Sequence, residues 1–259
     1  MEKYTEVIGK IVWFFSAILM WGLATTVGLP ITISLWLSTT FRDVFFSWTY
    51  VYIIQFFFQS QLVSLRKKMF QLLQKNLSSK QRSDPLEVLE IGIGDGANLP
   101  YYPDNCKLTV VDKNKFFEPY FRKSAKMYPH ISYQRTVIQS AENMMDVEDN
   151  SMDVVVTSLF QCSCEDPDKV LQEILRVLKP GGKYVCMEHV AFPKKTVGFL
   201  LQKIVHPIWY LYSNGCTLDR DLEKKIKQAG FSEVVCEQYV KPQWWMFIAR
   251  HFIVAMATK

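Results

Sequence analysis

Two long stretches without a charged side chain dominate the first quarter of the chain. Ile11 to Phe41 has none, and after Arg42 and Asp43 the sequence is uncharged again from Val44 to Leu65. Either stretch exceeds the ~20 helical residues that cross a hydrocarbon core. The first runs from Ile11-Val12-Trp13-Phe14-Phe15 through Trp21-Gly22-Leu23 to a break at Gly28-Leu29-Pro30. The second contains Ser47, Gln55, Gln59, Ser60 and Gln61, which suits a span less well. No small-residue cleavage site is evident, so the segment reads as an uncleaved anchor. From Phe58 onward apolar residues recur at Phe58, Leu62, Leu65, Met69, Leu72 and Leu73, with Arg66, Lys67, Lys68 and Lys75 off that face. The pattern predicts one or two membrane-embedded helices, kinked or turned around Gly28–Pro30, leading into an amphipathic interfacial helix. The alternative, a buried core helix of a soluble protein, fits poorly with two runs so rich in Trp and Phe.

The polar, turn-rich stretch from Asn76 to Pro85 marks a linker, and beyond it strand-like and helix-like patterns alternate. Strands are expected near 86–91, 107–111, 131–138, 153–158, 183–190, 233–240 and 252–258. Asp166-Pro167-Asp168 opens a helix with a cap and a first-turn proline, and Leu171, Ile174, Leu175 and Leu178 form its buried face. A further helix over about 217–229 ends at Gly230. The last two strands have no helix between them, which suits an antiparallel hairpin on an otherwise parallel sheet. The expected fold is therefore α/β and Rossmann-like, with a seven-stranded, mostly parallel sheet. The expected organisation is an anchor over 1–65, an amphipathic helix and linker over 66–85, and a catalytic domain over 86–259.

Net charge is +5 and spread along the chain, with no arginine–aromatic interleaving, so a nucleic-acid partner is not expected. A basic surface beside anionic lipid accounts for the excess, and the trio Arg66-Lys67-Lys68 places the catalytic part on the cytosolic side. The six cysteines form no CxxC pair, and Cys162-Ser163-Cys164 is too tight for usual zinc spacing. Reduced thiols and no metal are expected.

The chemistry lies in Glu90-Ile91-Gly92-Ile93-Gly94-Asp95-Gly96, after the strand-like Leu86-Glu87-Val88-Leu89. Three glycines bring backbone amides close to a ligand. Asp112, at the end of a second apolar run, can accept hydrogen bonds from both hydroxyls of a ribose. A nucleoside site follows. Gly92-x-Gly94-x-x-Ala97 also satisfies a dinucleotide fingerprint. Three features favour S-adenosylmethionine instead. Glu90 supplies a carboxylate suited to an ammonium and a sulfonium. Leu99-Pro100-Tyr101-Tyr102-Pro103 is too broken for a long pyrophosphate-binding helix. Arg176 to Gly182 closes a helix and turns tightly into the strand Lys183-Tyr184-Val185-Cys186-Met187.

On these residues the chain resembles the class I S-adenosylmethionine-dependent methyltransferases. Ser140-Ala141-Glu142-Asn143-Met144, Met187-Glu188-His189-Val190 and Asn214-Gly215-Cys216-Thr217-Leu218 narrow the resemblance to membrane-anchored thiol methyltransferases of endoplasmic reticulum and lipid droplets, over roughly residues 60–259. The resemblance implies a glycine loop (Gly92, Gly94, Gly96) against the amino-acid part of the cofactor, with Glu90 nearby. It places Asp112 on the ribose, Lys113 beside the adenine, Ala141 and Glu142 along the adenine pocket, and Leu159 bordering the methyl group. Ser140 stands where many relatives carry Asp, which leaves Glu142 as the carboxylate at that end. His189 and His206 are candidate bases for ionising an acceptor. The implied acceptor is a small lipophilic thiol arriving from membrane lipids across the apolar segment 199–212, with Trp244-Trp245-Met246-Phe247 at the interface. A quinone, sterol or phospholipid acceptor, or a non-catalytic scaffold, remains the alternative.

Overall fold

The structure, a computed structural model, describes residues 2–77, 84–243 and 246–259. The chain falls into two compact units, Met1–Arg42 and Asp43–Lys259.

In the first unit, α1 (Glu2–Leu23) passes through a π-helical turn, Ala24–Gly28, into α2 (Leu29–Leu37). The expected break at Gly28–Pro30 does not form. Pro30 sits in the first turn of α2, where its missing N–H costs little, and the π turn takes up the change of register. Threonine hydroxyls bond back along the helix, Thr26 Oγ1 to the Gly22 carbonyl at 2.6 Å and Thr32 Oγ1 to that of Gly28 at 2.8 Å. The helix ends instead at Ser38, whose backbone is extended (φ −129°, ψ 112°) and whose Oγ accepts the Phe41 N–H at 3.1 Å. Phe14–Leu37 is the one helix among the described residues long and apolar enough to cross a membrane, with mean hydropathy 1.7.

The second uncharged stretch has a different fate. It forms α3 (Thr39–Thr49), a π-helical turn (Tyr50–Ile54) and α4 (Gln55–Asn76). Most of the stripe expected to lie on a bilayer is core: Leu62, Leu65, Met69 and Leu73, joined by Phe70, are buried against Val88, Leu108, Val154, Val185 and Val254, while Phe58 and Leu72 pack half-buried against the same cluster. Burying those five side chains on a sheet satisfies the same amphipathic pattern that a lipid surface would. Arg66, expected off the apolar face, is itself buried.

Seven strands follow: β1 (Leu86–Ile91), β2 (Cys106–Val111), β3 (Ile131–Val137), β4 (Met152–Ser158), β5 (Leu178–His189), β6 (Glu233–Val240) and β7 (His251–Thr258). They lie in the order β3-β2-β1-β4-β5-β7-β6. The first five pair in parallel, and β7 is antiparallel to both β5 and β6, as expected. The inner strands β1, β2, β4, β5 and β7 bury both faces, so alternate residues enter separate cores. Val88, Val154 and Val156 face α4, while Leu89, Ile91 and Val155 face α6 (Pro167–Val177) and α8 (Leu222–Gln228). Between these lie α5 (Glu118–Ala125) and α7 (Val197–Tyr212).

Three local readings change. Strand pairing begins at Leu178, with 179–182 looped out between the Met152–Leu178 and Val154–Lys183 pairs. In α6 the buried face takes in Val170 and Val177, and Leu175 is only half-buried. The helix expected over 217–229 forms only from Leu222, because Asp221 caps it and Thr217 N–H is held by the Cys162 carbonyl at 2.8 Å. The linker reading over 76–85 and the interfacial reading over 244–247 fall partly outside the described residues, at 78–83 and at Trp244 and Trp245; of the latter segment's remainder, Met246 is buried in the core and Phe247 is exposed.

Candidate active site

β1 lies between β2 and β4, so the chain leaves β1 with a parallel strand on either side and a crevice opens at their carboxyl ends. Gly92, Gly94 and Gly96 all adopt positive φ (78°, 50° and 86°). A side chain at Gly92 would strike the Phe160 ring at 2.7 Å, and one at Gly94 would strike the Tyr50 ring at 2.9 Å. Only glycine fits such a backbone at such an approach. Gly96 has a different neighbour, since a Cβ there would meet Leu99 at 2.5 Å.

Asp112 at the end of β2 is buried, and its carboxylate is tied on both oxygens. Oδ2 accepts the Ile93 N–H of the glycine loop at 3.0 Å, and Oδ1 accepts the Asn114 N–H at 2.8 Å. Burial pushes its pKa up to about 6 against those two bonds and Lys113. Glu90 is also buried. Its oxygens accept from Asn98 Nδ2 and Tyr102 Oη, both at 2.8 Å, so it braces the segment after the loop instead of lining the cleft. Burial lifts its pKa to about 7, opposed by those bonds and by Arg66. Arg66 Nε is buried without a hydrogen-bond partner.

One cleft, enclosing about 600 Å³ with open solvent included, is lined by Gly92, Gly94, Asp112, Lys113, Ser158, Leu159, Phe160, Ser163 and Asn214. Phe46, Tyr50, Asn114 and Phe117 complete its wall. A smaller recess shares Asp112, Lys113 and Phe160 and adds Gln139, Ala141 and Glu142. Glu142 is committed to structure there. Its Oε1 accepts the Glu165 N–H at 2.7 Å and its Oε2 accepts from Ser140. Although burial opposes ionisation, these bonds hold its pKa below the usual carboxylate range.

Leu159 carries φ +55°, a left-handed conformation that is strained for Leu. The surrounding loop is pinned to maintain it. Leu159 N–H bonds the Met187 carbonyl at 2.9 Å, and Glu188 Oε1 accepts the N–H groups of Phe160 and Gln161, each at 3.1 Å. Arg220 Nη1 and Nη2 reach the Gln161 and Cys164 carbonyls at 2.6 Å each. Asp43 ties two further loops to the site, its Oδ1 accepting from Asn214 Nδ2 and its carbonyl from Asn114 Nδ2, both at 3.0 Å.

The two histidines stand apart from the cleft lining. His189, at the end of β5, is buried with Nε2 3.0 Å from Cys216 Sγ, and its Nδ1 has no partner. His206 lies in α7 with its ring 5.8 Å from that of Tyr210, and its Nδ1 is also unpartnered. Cys162 joins His189 and Cys216 in a buried cluster.

Thus the expected Gly92, Gly94, Asp112, Lys113, Ala141, Glu142 and Leu159 converge, while Glu90 and Gly96 support them from behind. Sequence reasoning missed Phe46 and Tyr50, which lie in a stretch it assigned to lipid, and Arg66, which it read as part of an exposed basic trio. The signal was present in the polar interruptions of that stretch, Ser47 and Gln55, both of which are buried.

A methyltransferase domain family model matches residues 89–186. Thiol S-methyltransferase TMT1A of Homo sapiens is 34% identical over 79% of this chain and 83% of its own. Thiol S-methyltransferase TMT1B of Rattus norvegicus is 42% identical over 67% of this chain and 71% of its own. Among solved structures, an S-adenosylmethionine-dependent methyltransferase from Thermotoga maritima superposes with TM-score 0.55 at 20% identity, covering 83% of this chain and 98% of that one, and supports the fold alone. With identity of this extent over two thirds or more of each chain, and a methyltransferase domain match that takes in the glycine loop and Asp112, the chain belongs to the thiol S-methyltransferase family of class I S-adenosylmethionine-dependent enzymes.

Proposed function

We propose that the protein transfers the methyl group of S-adenosylmethionine to the thiol of a small lipophilic acceptor. The residues fit the cofactor. A glycine cradle that any Cβ would fill and a buried carboxylate at the tip of β2 suit a nucleoside, and Arg66 keeps an unpaired guanidinium nitrogen near Glu90. When bound, the cofactor supplies an already activated methyl group. Asp112 would hold the ribose hydroxyls, Lys113, Ala141 and Glu142 would flank the adenine, and the strained Leu159 would border the methyl.

The observation that carries the thiol reading is the chemistry of the cleft wall. Apart from Asp112 and Lys113, assigned to the nucleoside, and Tyr50, whose hydroxyl burial pushes up to about 12, the cleft is lined by side chains that do not titrate. A wall without a general base suits an acceptor that ionises readily by itself. A thiol with a pKa of about 8.5 does so, and an alcohol does not. Alignment of the nucleophile with the departing sulfur is then the protein's main contribution. The helix Phe14–Leu37 would anchor the enzyme in endoplasmic reticulum or lipid-droplet membrane, with the exposed Lys67 and Lys68 favouring a cytosolic catalytic unit.

The test is turnover of the full chain with alkyl thiol, phenol and amine panels. A lipophilic thiol should lead, with a rate that rises with pH until the bound thiol is ionised. A phenol or amine faster than every thiol would overturn the acceptor.

A further inference from the structure

Cys162, His189 and Cys216 come from three separate places in the chain: the loop after β4, the end of β5 and the turn after α7. Their ligand atoms all lie within 4.8 Å of one another, and all three residues are buried. His189 Nε2 is 3.0 Å from Cys216 Sγ, and the Trp209 indole N–H donates to the same sulfur at 3.2 Å. An imidazole 6% exposed whose polar partners are thiols is poorly satisfied, because sulfur is a weak hydrogen-bonding atom and Nδ1 has no partner at all. A single ion bound by all three atoms removes that deficit. Tetrahedral bonds of about 2.3 Å to sulfur and 2.0 Å to nitrogen separate such ligands by roughly 3.5–3.8 Å. The 3.0 Å contact and the 4.8 Å outer bound bracket that spacing. Two thiolates also neutralise a divalent charge, so the loaded site would bury no net charge.

We propose that Cys162, His189 and Cys216 form a site for a soft divalent ion of the zinc class. Thiolate and imidazole donors select such an ion over magnesium or calcium. Three protein ligands leave a fourth tetrahedral position. Ser163, next to Cys162, and Asn214, two residues before Cys216, line the cofactor cleft, so the two loops that carry the thiols also carry part of its wall. Resting on the thiol reading above, the fourth ligand is the acceptor sulfur. The thiol loses its proton to solvent as its sulfur binds the ion. A lone pair of that sulfur then forms the bond to the methyl carbon as the carbon–sulfonium bond breaks, and the neutral thioether product, a weaker ligand, departs.

The experiment is cobalt(II) titration of reduced, metal-stripped full-length protein, followed by visible absorption. One equivalent per chain should give sulfur-to-cobalt charge-transfer bands, lost in Cys162→Ser and in Cys216→Ser variants that still bind S-adenosylmethionine. Absence of the bands in wild type, or their persistence in both variants, would overturn the site. Adding an alkyl thiol without S-adenosylmethionine should shift the cobalt bands, and zinc should restore turnover to the stripped enzyme. Unchanged bands, or full thiol turnover in the stripped enzyme, would remove the fourth-ligand role while leaving thiol methylation standing. Metal binding without turnover of any thiol would instead strike the acceptor reading.

Discussion

At the scale of single residues, Asp112 carries the sharpest expectations. Replacing it with Ala removes a charged acceptor, costing on the order of 2–3 kcal/mol of S-adenosylmethionine affinity, roughly a 30- to 150-fold rise in Kd. Calorimetry on the folded variant checks this, and unchanged affinity would remove Asp112 from the ribose. Its pKa of about 6 and the Glu90 value of about 7 add a pH dependence. Both are raised by burial, so without cofactor the folded state holds these protons more tightly than the unfolded chain. Their stabilising effect is complete in acid and is lost as pH rises from about 4 to about 7. A cationic sulfonium ligand prefers the ionised forms, so affinity should climb through the same window and level off above it. The charged neighbours are Arg66 and Asp95 around Glu90, with Lys113 and Asp43 around Asp112. A flat Kd between pH 5 and 8 would contradict the assignment. Glu188 yields a stability prediction. Glu188→Leu strands the buried N–H groups of the 160–161 turn, costing about 1–3 kcal/mol for each in chemical denaturation, whereas Glu188→Gln keeps an acceptor and most of the stability.

At the scale of elements, the sharpest difference between sequence and structure is α4. Its stripe was legible, but an amphipathic pattern states only that one face is apolar, not whether lipid or a sheet covers it. The strands were easier, because runs such as Val154-Val155-Val156, buried on both faces, permit little besides a central parallel strand. Of the site, Gly92, Gly94 and Asp112 were legible because a glycine loop after one strand and an acid at the end of the next mark them locally, and Leu159 only through the family resemblance. Tyr50 and Arg66 were not, since they reach the glycine loop only through tertiary packing. The consequence is testable by truncation. A protein beginning at Ser38 should remain folded and bind cofactor after losing the apolar helix. One beginning near Ser79 should aggregate, because it lacks Leu62, Leu65, Met69, Phe70 and Leu73, each contributing about 2–5 kcal/mol against a total stability of about 5–15 kcal/mol. A soluble, cofactor-binding protein from Ser79 would refute the place given to α4.

At the scale of the whole molecule, apolar surface outside the core bears on how substrate arrives. Along α7, Val197, Leu200, Ile204 and Ile208 are 58–73% exposed at helical spacing. Ile204→Lys and Ile208→Lys should alter stability by no more than about 0.5 kcal/mol. In vesicle suspensions they should lower kcat/KM for a lipophilic thiol severalfold while sparing a hydrophilic one, and an equal loss for both would deny α7 a part in access. The way α4 is joined to the end of the chain has a further effect, on synthesis. Lys241 Nζ donates to Ser64 Oγ at 2.9 Å across 177 residues, and the Lys68 ammonium lies 4.1 Å from the Tyr239 ring centroid. Val254 and Met256 of β7 share a core with Leu65 and Met69. At 5–20 residues per second, the ribosome takes roughly 9–35 s to deliver these partners after α4 has been made. Throughout that interval the apolar face of α4 waits without its final strands. A nascent chain stopped before His251 should therefore be captured by holding chaperones and cut readily by protease, and both susceptibilities should vanish once β7 slides between β5 and β6.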